Sequence, residues 1–197
     1  MEIQQHRIRT VLRMRVAIDT SSLHALVRYY LPFDRDQRLY RFIQQKAEAG
    51  EILIIQEVYF ECKTIAQGEI LKALPYLKEK KHHLKTDDLL PSKTLFNRVE
   101  NDFAISVQKR LLSETEFESL KQQYMAGADF KLILLALREK ASLDDPVVIV
   151  TEETAASNDR KLFKKIPAIC GLQGMDITCW DLPKYLKNVE GIGFGVQ

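Results

Sequence analysis

The chain has 197 residues, 46% hydrophobic and 28% charged, which sets it apart from disordered chains and suits one globular domain with room for an embedded insertion. Its 29 Lys plus Arg against 27 Asp plus Glu leave a formal charge of only +2, too weak a whole-molecule field to mark a nucleic-acid binder, so any anion site has to come from local clusters. Cys62, Cys170 and Cys179 form no C-x-x-C pair, which argues against a disulfide framework or a sulfur-rich zinc site and fits a reducing cytoplasm, and no apolar run reaches the roughly 20 residues of a membrane helix.

Residues 1–13 are basic and polar and lack the apolar core of a signal peptide. With Met14 directly before the first strand pattern, they read as an arm or as a start placed too far upstream. Arg15-Val16-Ala17-Ile18 is a strand pattern running into Asp19, and Thr20-Ser21-Ser22 are hydroxylated residues suited to capping a helix. Leu23, Leu26, Val27 and Tyr30 follow at helical spacing; Tyr29 and Tyr30 could stack on bases, but the apolar stripe favours a core place for Tyr30. Leu39, Phe42, Ile43 and Ala47 mark a second helix ending at Gly50, a natural left-handed cap. Ile52-Leu53-Ile54-Ile55 shows no polar alternation and reads as a buried parallel strand, followed by a helix over 57–66 that carries Glu61.

From about residue 69 to 125 the pattern is helical and highly charged, interrupted at Pro75 and over 86–91, and a helical insertion without strands is expected there. Ser113-x-x-Glu116 has the form of a capping box. Gly127-Ala128-Asp129 opens a helix with Leu132, Ile133, Leu135, Ala136 and Leu137, apolar nearly all round and so expected at the centre. Asp144-Asp145-Pro146 turns the chain into Val147-Val148-Ile149-Val150, the clearest β-branched strand, with Thr151-Glu152-Glu153 at its end. Ile177-Thr178-Cys179-Trp180 is the expected last strand, and residues 191–197 a loop-like tail beyond a domain of 14–190. Short apolar strands alternating with helices predict α/β with a central parallel sheet.

The acids fall where this topology gives them meaning. Asp19 and Glu152-Glu153 end strands, Glu61 lies in the helix after the second strand, and Asp129 sits in the first turn of an apolar helix. Ligands of parallel sheets bind beyond the carboxyl ends of the strands. Carboxylates gathered there repel one another and lose hydration, so a cation is needed, and all-oxygen donors favour Mg²⁺ or Mn²⁺ over zinc. Taken singly, Asp19 and Asp129 also read as helix caps, and Glu57 as first-turn charge sharing a helix face with Glu61.

Val16-Ala17-Ile18-Asp19-Thr20-Ser21-Ser22-Leu23, Val58-Tyr59-Phe60-Glu61-Cys62, Gly127-Ala128-Asp129 and Val148-Ile149-Val150-Thr151-Glu152-Glu153 resemble, in order and strand context, the four acidic motifs of PIN-domain nucleases. Asp19-Thr20-Ser21-Ser22, Arg28-Tyr29-Tyr30 and the run from Lys165 to Cys170 resemble more narrowly a toxin-like prokaryotic PIN subfamily. The resemblance spans about residues 14–182 and implies a three-layer α/β/α PIN-like sandwich with a helical insertion. It implies Asp19, Glu61, Asp129 and Glu153 as catalytic, metal-binding acids, with Glu152 able to replace Glu153, since the family's last motif usually reads Thr-x-Asp. Thr20, Ser21 and Thr151 are the supporting hydroxyls. The implied activity is Mg²⁺- or Mn²⁺-dependent hydrolysis of RNA phosphodiesters by a cytoplasmic toxin, with an antitoxin protein and a homodimer as the implied partners.

Other features are open to two readings. Arg160, Lys161, Lys164 and Lys165 suit contact with RNA phosphates or a solvated helix face. Lys78, Lys80, Lys81, His82, His83 and Lys85 form a second basic cluster on the insertion, more in keeping with exposed surface than with RNA contact, and adjacent His82 and His83 point too far apart on a helix to share a metal. Cys170 and Cys179 read as small buried apolar residues. Two rival functions stand beside the nuclease. One is a phosphoester hydrolase using Asp19 as nucleophile, although Ser21 stands where that chemistry commonly wants a second Asp. The other is a non-catalytic interaction module of the same fold.

Overall fold

The computed structural model describes residues 14–140, 147–156 and 160–189. The expected arm over 1–13, the turn at 144–146 and the tail over 191–197 lie outside them.

The chain alternates strands and helices: β1 (Arg15–Ile18), α1 (Thr20–Ala25), α2 (Arg38–Glu48), β2 (Ile52–Ile55), α3 (Gln56–Thr64), α4 (Glu69–Ala73) and β3 (His83–Leu84). It continues through α5 (Lys93–Arg98), α6 (Ser106–Lys109), α7 (Glu114–Ala126), α8 (Ala128–Lys140), β4 (Val147–Val150), α9 (Ile166–Cys170), β5 (Cys179–Trp180) and α10 (Leu182–Asn188). The five strands form one sheet in the order β3-β2-β1-β4-β5 with every pairing parallel. Helices flank it, giving the expected three-layer α/β/α sandwich.

The apolar runs explain the centre. Val16, Ala17, Ile18, Ile149 and Val150 are inaccessible to solvent, as a strand covered by helices on both faces must be. Helix α8 buries Phe130, Leu132, Ile133, Leu134, Leu135 and Ala136, so it is the central helix its pattern predicts. Gly50 adopts φ +70°, the left-handed conformation expected at the end of α2. The Ser113–Glu116 capping box is formed in both directions at the start of α7.

Five expectations need correcting. The segment 69–125 is not free of strands, because His83–Leu84 adds a two-residue parallel edge to β2, too short to leave a sequence pattern. Accordingly His82 ends a 3-10 turn and His83 lies in that strand, not on a helix. The last strand is only Cys179–Trp180. Arg160–Lys165 is irregular, with helix beginning at Ile166, and Phe163 forms an antiparallel bridge to Ala104 of the inserted segment. Tyr30 is half-buried against the core instead of inside it.

The strand order reverses beside β1: the chain builds outward through β2 and β3, then returns to lay β4 on the other side. A crevice at the carboxyl ends of β1 and β4 follows from that reversal, because their connections leave in opposite directions. Ile18 pairs with Val150, so Asp19 and Thr151 emerge side by side.

Candidate active site

Asp19 is tied down at the first residue after β1. Its backbone N–H donates to Val150 O at 2.8 Å, and it is the N-cap of α1. Only 4% exposed, its carboxylate accepts three hydrogen bonds. Thr20 N donates to Oδ1 at 2.7 Å; Ser21 Oγ and Thr151 Oγ1 donate to Oδ2 at 2.6 and 2.8 Å. With their hydrogens spent on Asp19, those two hydroxyl oxygens accept from the next stretch of chain. Ser21 Oγ takes Glu152 N at 3.0 Å and Thr151 Oγ1 takes Glu153 N at 3.1 Å. The three residues after β1 and the three after β4 are thereby locked into one hydrogen-bonded unit. A buried charge is tolerable when satisfied in this way.

Glu61 reaches the same place from α3. Thr20 Oγ1 donates to its Oε2 at 2.6 Å, so the hydroxyl next to Asp19 orients the second acid. Asp129 arrives from the first turn of α8. Gly127 alone separates α7 from α8, and a Cβ there would stand 3.3 Å from Tyr124 O, a tight approach that favours glycine. Glu153 places Oε2 3.2 Å from the N–H of Ile166, at the start of α9, and Oε1 3.7 Å from Lys161 Nζ.

The electrostatics show which acids face one another. Burial first, then the charges of Asp19, Glu153 and Glu61, push the Asp129 carboxyl up to about 7. Glu61 is raised chiefly by burial, with Asp19, Glu153 and Glu57 adding to it and the Thr20 hydroxyl opposing. Asp19, Glu61, Asp129 and Glu153 therefore share one negative field. Glu152 points elsewhere: its Oε1 accepts Leu182 N at 2.7 Å, at the start of α10. The four acids are not drawn tightly together, and among the described residues no three His, Cys, Asp or Glu side chains stand at the spacing of a metal site.

The basic residues divide. Lys161, Lys164 and Lys165 line a cleft with Asp129, but the Lys164 ammonium donates to Asp102 O at 2.6 Å, and Arg160 is exposed. Three residues exceed their sequence reading. Glu57 is more than first-turn charge: it accepts the Thr86 hydroxyl on Oε1 and buries Oε2 without a hydrogen-bond partner among the described residues. Its spacing of four from Glu61 was the available signal. Tyr124, just before the Gly127-Ala128-Asp129 turn, lines the cleft beside Asp129, which nothing in its surroundings in the sequence indicated. Cys179 is more than filler, since it is only half-buried and its thiol neighbours that of Cys170. That contact lowers the Cys179 pKa and pushes Cys170 well up.

Fold and site together define a parallel α/β/α domain with an acidic crevice at the point where its strand order reverses. The chain belongs to the family described as a domain of unknown function, DUF4411, whose model matches residues 16–191. No curated protein and no solved structure matches it. No helix among the described residues is long and apolar enough to cross a membrane.

Proposed function

We propose that the protein is a PIN-like endoribonuclease dependent on Mg²⁺ or Mn²⁺, acting as the cytoplasmic toxin of a toxin–antitoxin pair. The observation that carries this reading is the placement of Asp19, Glu61, Asp129 and Glu153 at one crevice beyond the carboxyl ends of β1 and β4, with Thr20 joining Asp19 to Glu61. Burial first, then Asp19, Glu153 and Glu61, raise the Asp129 carboxyl there, and Lys161 opposes them. Uncompensated carboxylates in a crevice are a mark of functional sites. The donors fit a hard dication in kind, all of them oxygens on ordered elements, and Asp19, Glu61, Asp129 and Glu153 would hold it.

When bound, such an ion supplies Lewis-acid polarisation of a phosphodiester and lowers the pKa of an attacking water. The chain's own part is positional. Thr20, Ser21 and Thr151 fix the Asp19 carboxylate, and Thr20 fixes Glu61, so that both acids are preorganised before substrate arrives. The likeness of the acidic motifs to PIN nucleases supports RNA as substrate and a homodimer and antitoxin as partners.

The test compares wild type with Asp19→Asn on a mixed RNA pool, in Mg²⁺ and in chelator. Cleavage that needs both Mg²⁺ and Asp19 supports the reading, and equal cutting by both proteins ends it. The wide spacing of the acids favours one second reading, a binding module that keeps the fold without the chemistry. A Mn²⁺ titration separates the two, because the module's thermal midpoint would not move.

A further inference from the structure

Helix α3 carries Glu61 to the acidic crevice, and the residue before it faces solvent. Phe60 is 49% exposed, and one exposed apolar side chain is ordinary on a protein surface. Phe60, however, is the open end of a row. Its ring adjoins that of Tyr59, with centroids 5.8 Å apart, and Tyr59 stacks on His83 of the edge strand β3 at 3.9 Å, with planes 29° apart. His83 is held in turn through its Nε2, 2.6 Å from Leu77 O. The outermost ring is thereby braced through two others against the edge of the sheet.

The charge beside this row is positive and uncommitted. Lys63, one turn further along α3, is exposed and places its ammonium 4.6 Å from the Tyr59 centroid and 5.0 Å from that of Phe60. Among the described residues it meets no carboxylate, and neither do the exposed Lys80 and Lys85 before and after β3. A helix is about 10–12 Å across with its side chains, so the ring and the ammonium lie within that span of the Glu61 carboxylate. An open aromatic face beside a mobile cation suits a flat base joined to a phosphate. An acidic peptide would engage the lysines and leave the ring idle.

We infer that Phe60 and Lys63 form a base-stacking platform for single-stranded RNA beside the crevice, Phe60 taking the face of one base and Lys63 swinging from the rings to its phosphate. For the identity of the strand this rests on the nuclease reading. Every base has a π-face, so the platform holds a strand next to the acids without reading its sequence.

The experiment reads fluorescence anisotropy of a short labelled single-stranded RNA in chelator, beside an abasic strand of the same length, over a range of salt, with wild type, Phe60→Leu, Phe60→Trp and Lys63→Ala. Phe60→Leu keeps an apolar side chain at an exposed position, so its thermal midpoint should stay with wild type. It is expected to bind RNA about tenfold more weakly with an unchanged salt slope, and to bind the abasic strand as wild type does. Phe60→Trp should restore binding of RNA. Lys63→Ala is expected to flatten the slope by about 0.7 on both strands, the mark of one phosphate contact on a single strand. Phe60→Leu that binds RNA as wild type, or that loses as much on the abasic strand, overturns the inference, and so does an acidic peptide of equal charge that binds as tightly as the RNA. If Phe60→Leu weakens binding while Asp19→Asn leaves RNA cutting unaltered, the platform stands and the nuclease reading falls. If Asp19→Asn abolishes cutting while Phe60→Leu binds normally, the platform alone falls.

Discussion

Two acidic regions of this molecule handle charge in opposite ways. In the inserted segment, Glu100 meets Lys109 at 2.7 Å and Lys121 at 3.6 Å, and Glu118 also contacts Lys121. The Lys121 side chain is only 3% exposed and its ammonium lies over the rings of Phe96 and Phe117, 4.6 and 5.6 Å from their centroids. The hydrogen bond from Lys109 holds Glu100 below the usual carboxylate range. At the carboxyl ends of β1 and β4, by contrast, Asp129 is pushed up to about 7 and Glu61 is raised as well. The first region is electrostatically complete and needs nothing further. The second is left with a surplus of negative charge, and that imbalance is what the proposed function builds on.

The comparison breaks most visibly in activity. If the proposed nuclease reading holds, Asp19→Asn is expected to lower Mg²⁺-dependent RNA cleavage about a hundredfold or more, because it weakens one of the acids proposed to hold the ion and disturbs the hydroxyls gathered on it. Lys121→Met keeps an apolar stem between the two rings and should leave cleavage unchanged. Rates of a defined RNA substrate measure both. If Lys121→Met cost as much as Asp19→Asn, the division into a complete and an incomplete region would be wrong.

A large stability effect should follow from Asp129. Its folded carboxyl titrates near 7 against an ordinary 3.8, so between those values the folded protein keeps a proton that the unfolded chain has released. Stability of the metal-free protein is therefore lost as pH rises through that window. Asp129→Asn removes the loss. It is expected to exceed wild type by about 2–4 kcal/mol at pH 8 and to match it near pH 4, read by urea melts in chelator. A variant less stable than wild type at pH 8 would show that the carboxylate is already compensated.

Thr151→Val sharpens the contrast at constant volume. It takes one hydrogen bond from Asp19 and leaves Glu153 N without its acceptor, which costs about 1–3 kcal/mol in thermal or denaturant unfolding. As a positioning residue, Thr151 should also affect Mn²⁺ affinity by about ten- to a hundredfold, with Thr151→Ser restoring it. Destabilisation without a change in metal response would confine its role to structure.

The difference between these regions was only half visible in the sequence. The apolar runs at Val16–Ile18, Ile52–Ile55 and Val147–Val150 announce buried parallel strands, and acids directly after two of them can only fall at one rim. Burial on both faces leaves a local signature, so the α/β/α layering and the placement of Asp19 and Glu153 were legible. His83–Leu84 was not, because a two-residue edge strand has no periodicity and its pairing is decided by β2. The choice between Glu152 and Glu153 was not legible either, since neighbouring residues in an irregular segment turn in directions set by partners distant in the chain. Tyr124 illustrates the same limit: it lines a cleft together with residues 161–165, far away in the sequence.

Glu152 supplies the finest test, because it lies one residue from Glu153 and yet belongs with the satisfied acids. Its Oε1 accepts the Leu182 amide at 2.7 Å, and its charge helps raise the Tyr30 phenol after burial has done so. Glutamine retains an oxygen that accepts the same amide, so Glu152→Gln should cost less than about 1 kcal/mol and leave the Mn²⁺ titration unmoved. Glu153→Gln changes a group that Asp129 and Glu61 both sense, and it should weaken the Mn²⁺ response while lowering the Asp129 carboxyl toward its ordinary range. Two variants of identical chemistry at adjacent positions therefore separate a carboxylate that holds a backbone end from one that contributes to the crevice, and equal metal responses would mean that the negative field is not what the site uses.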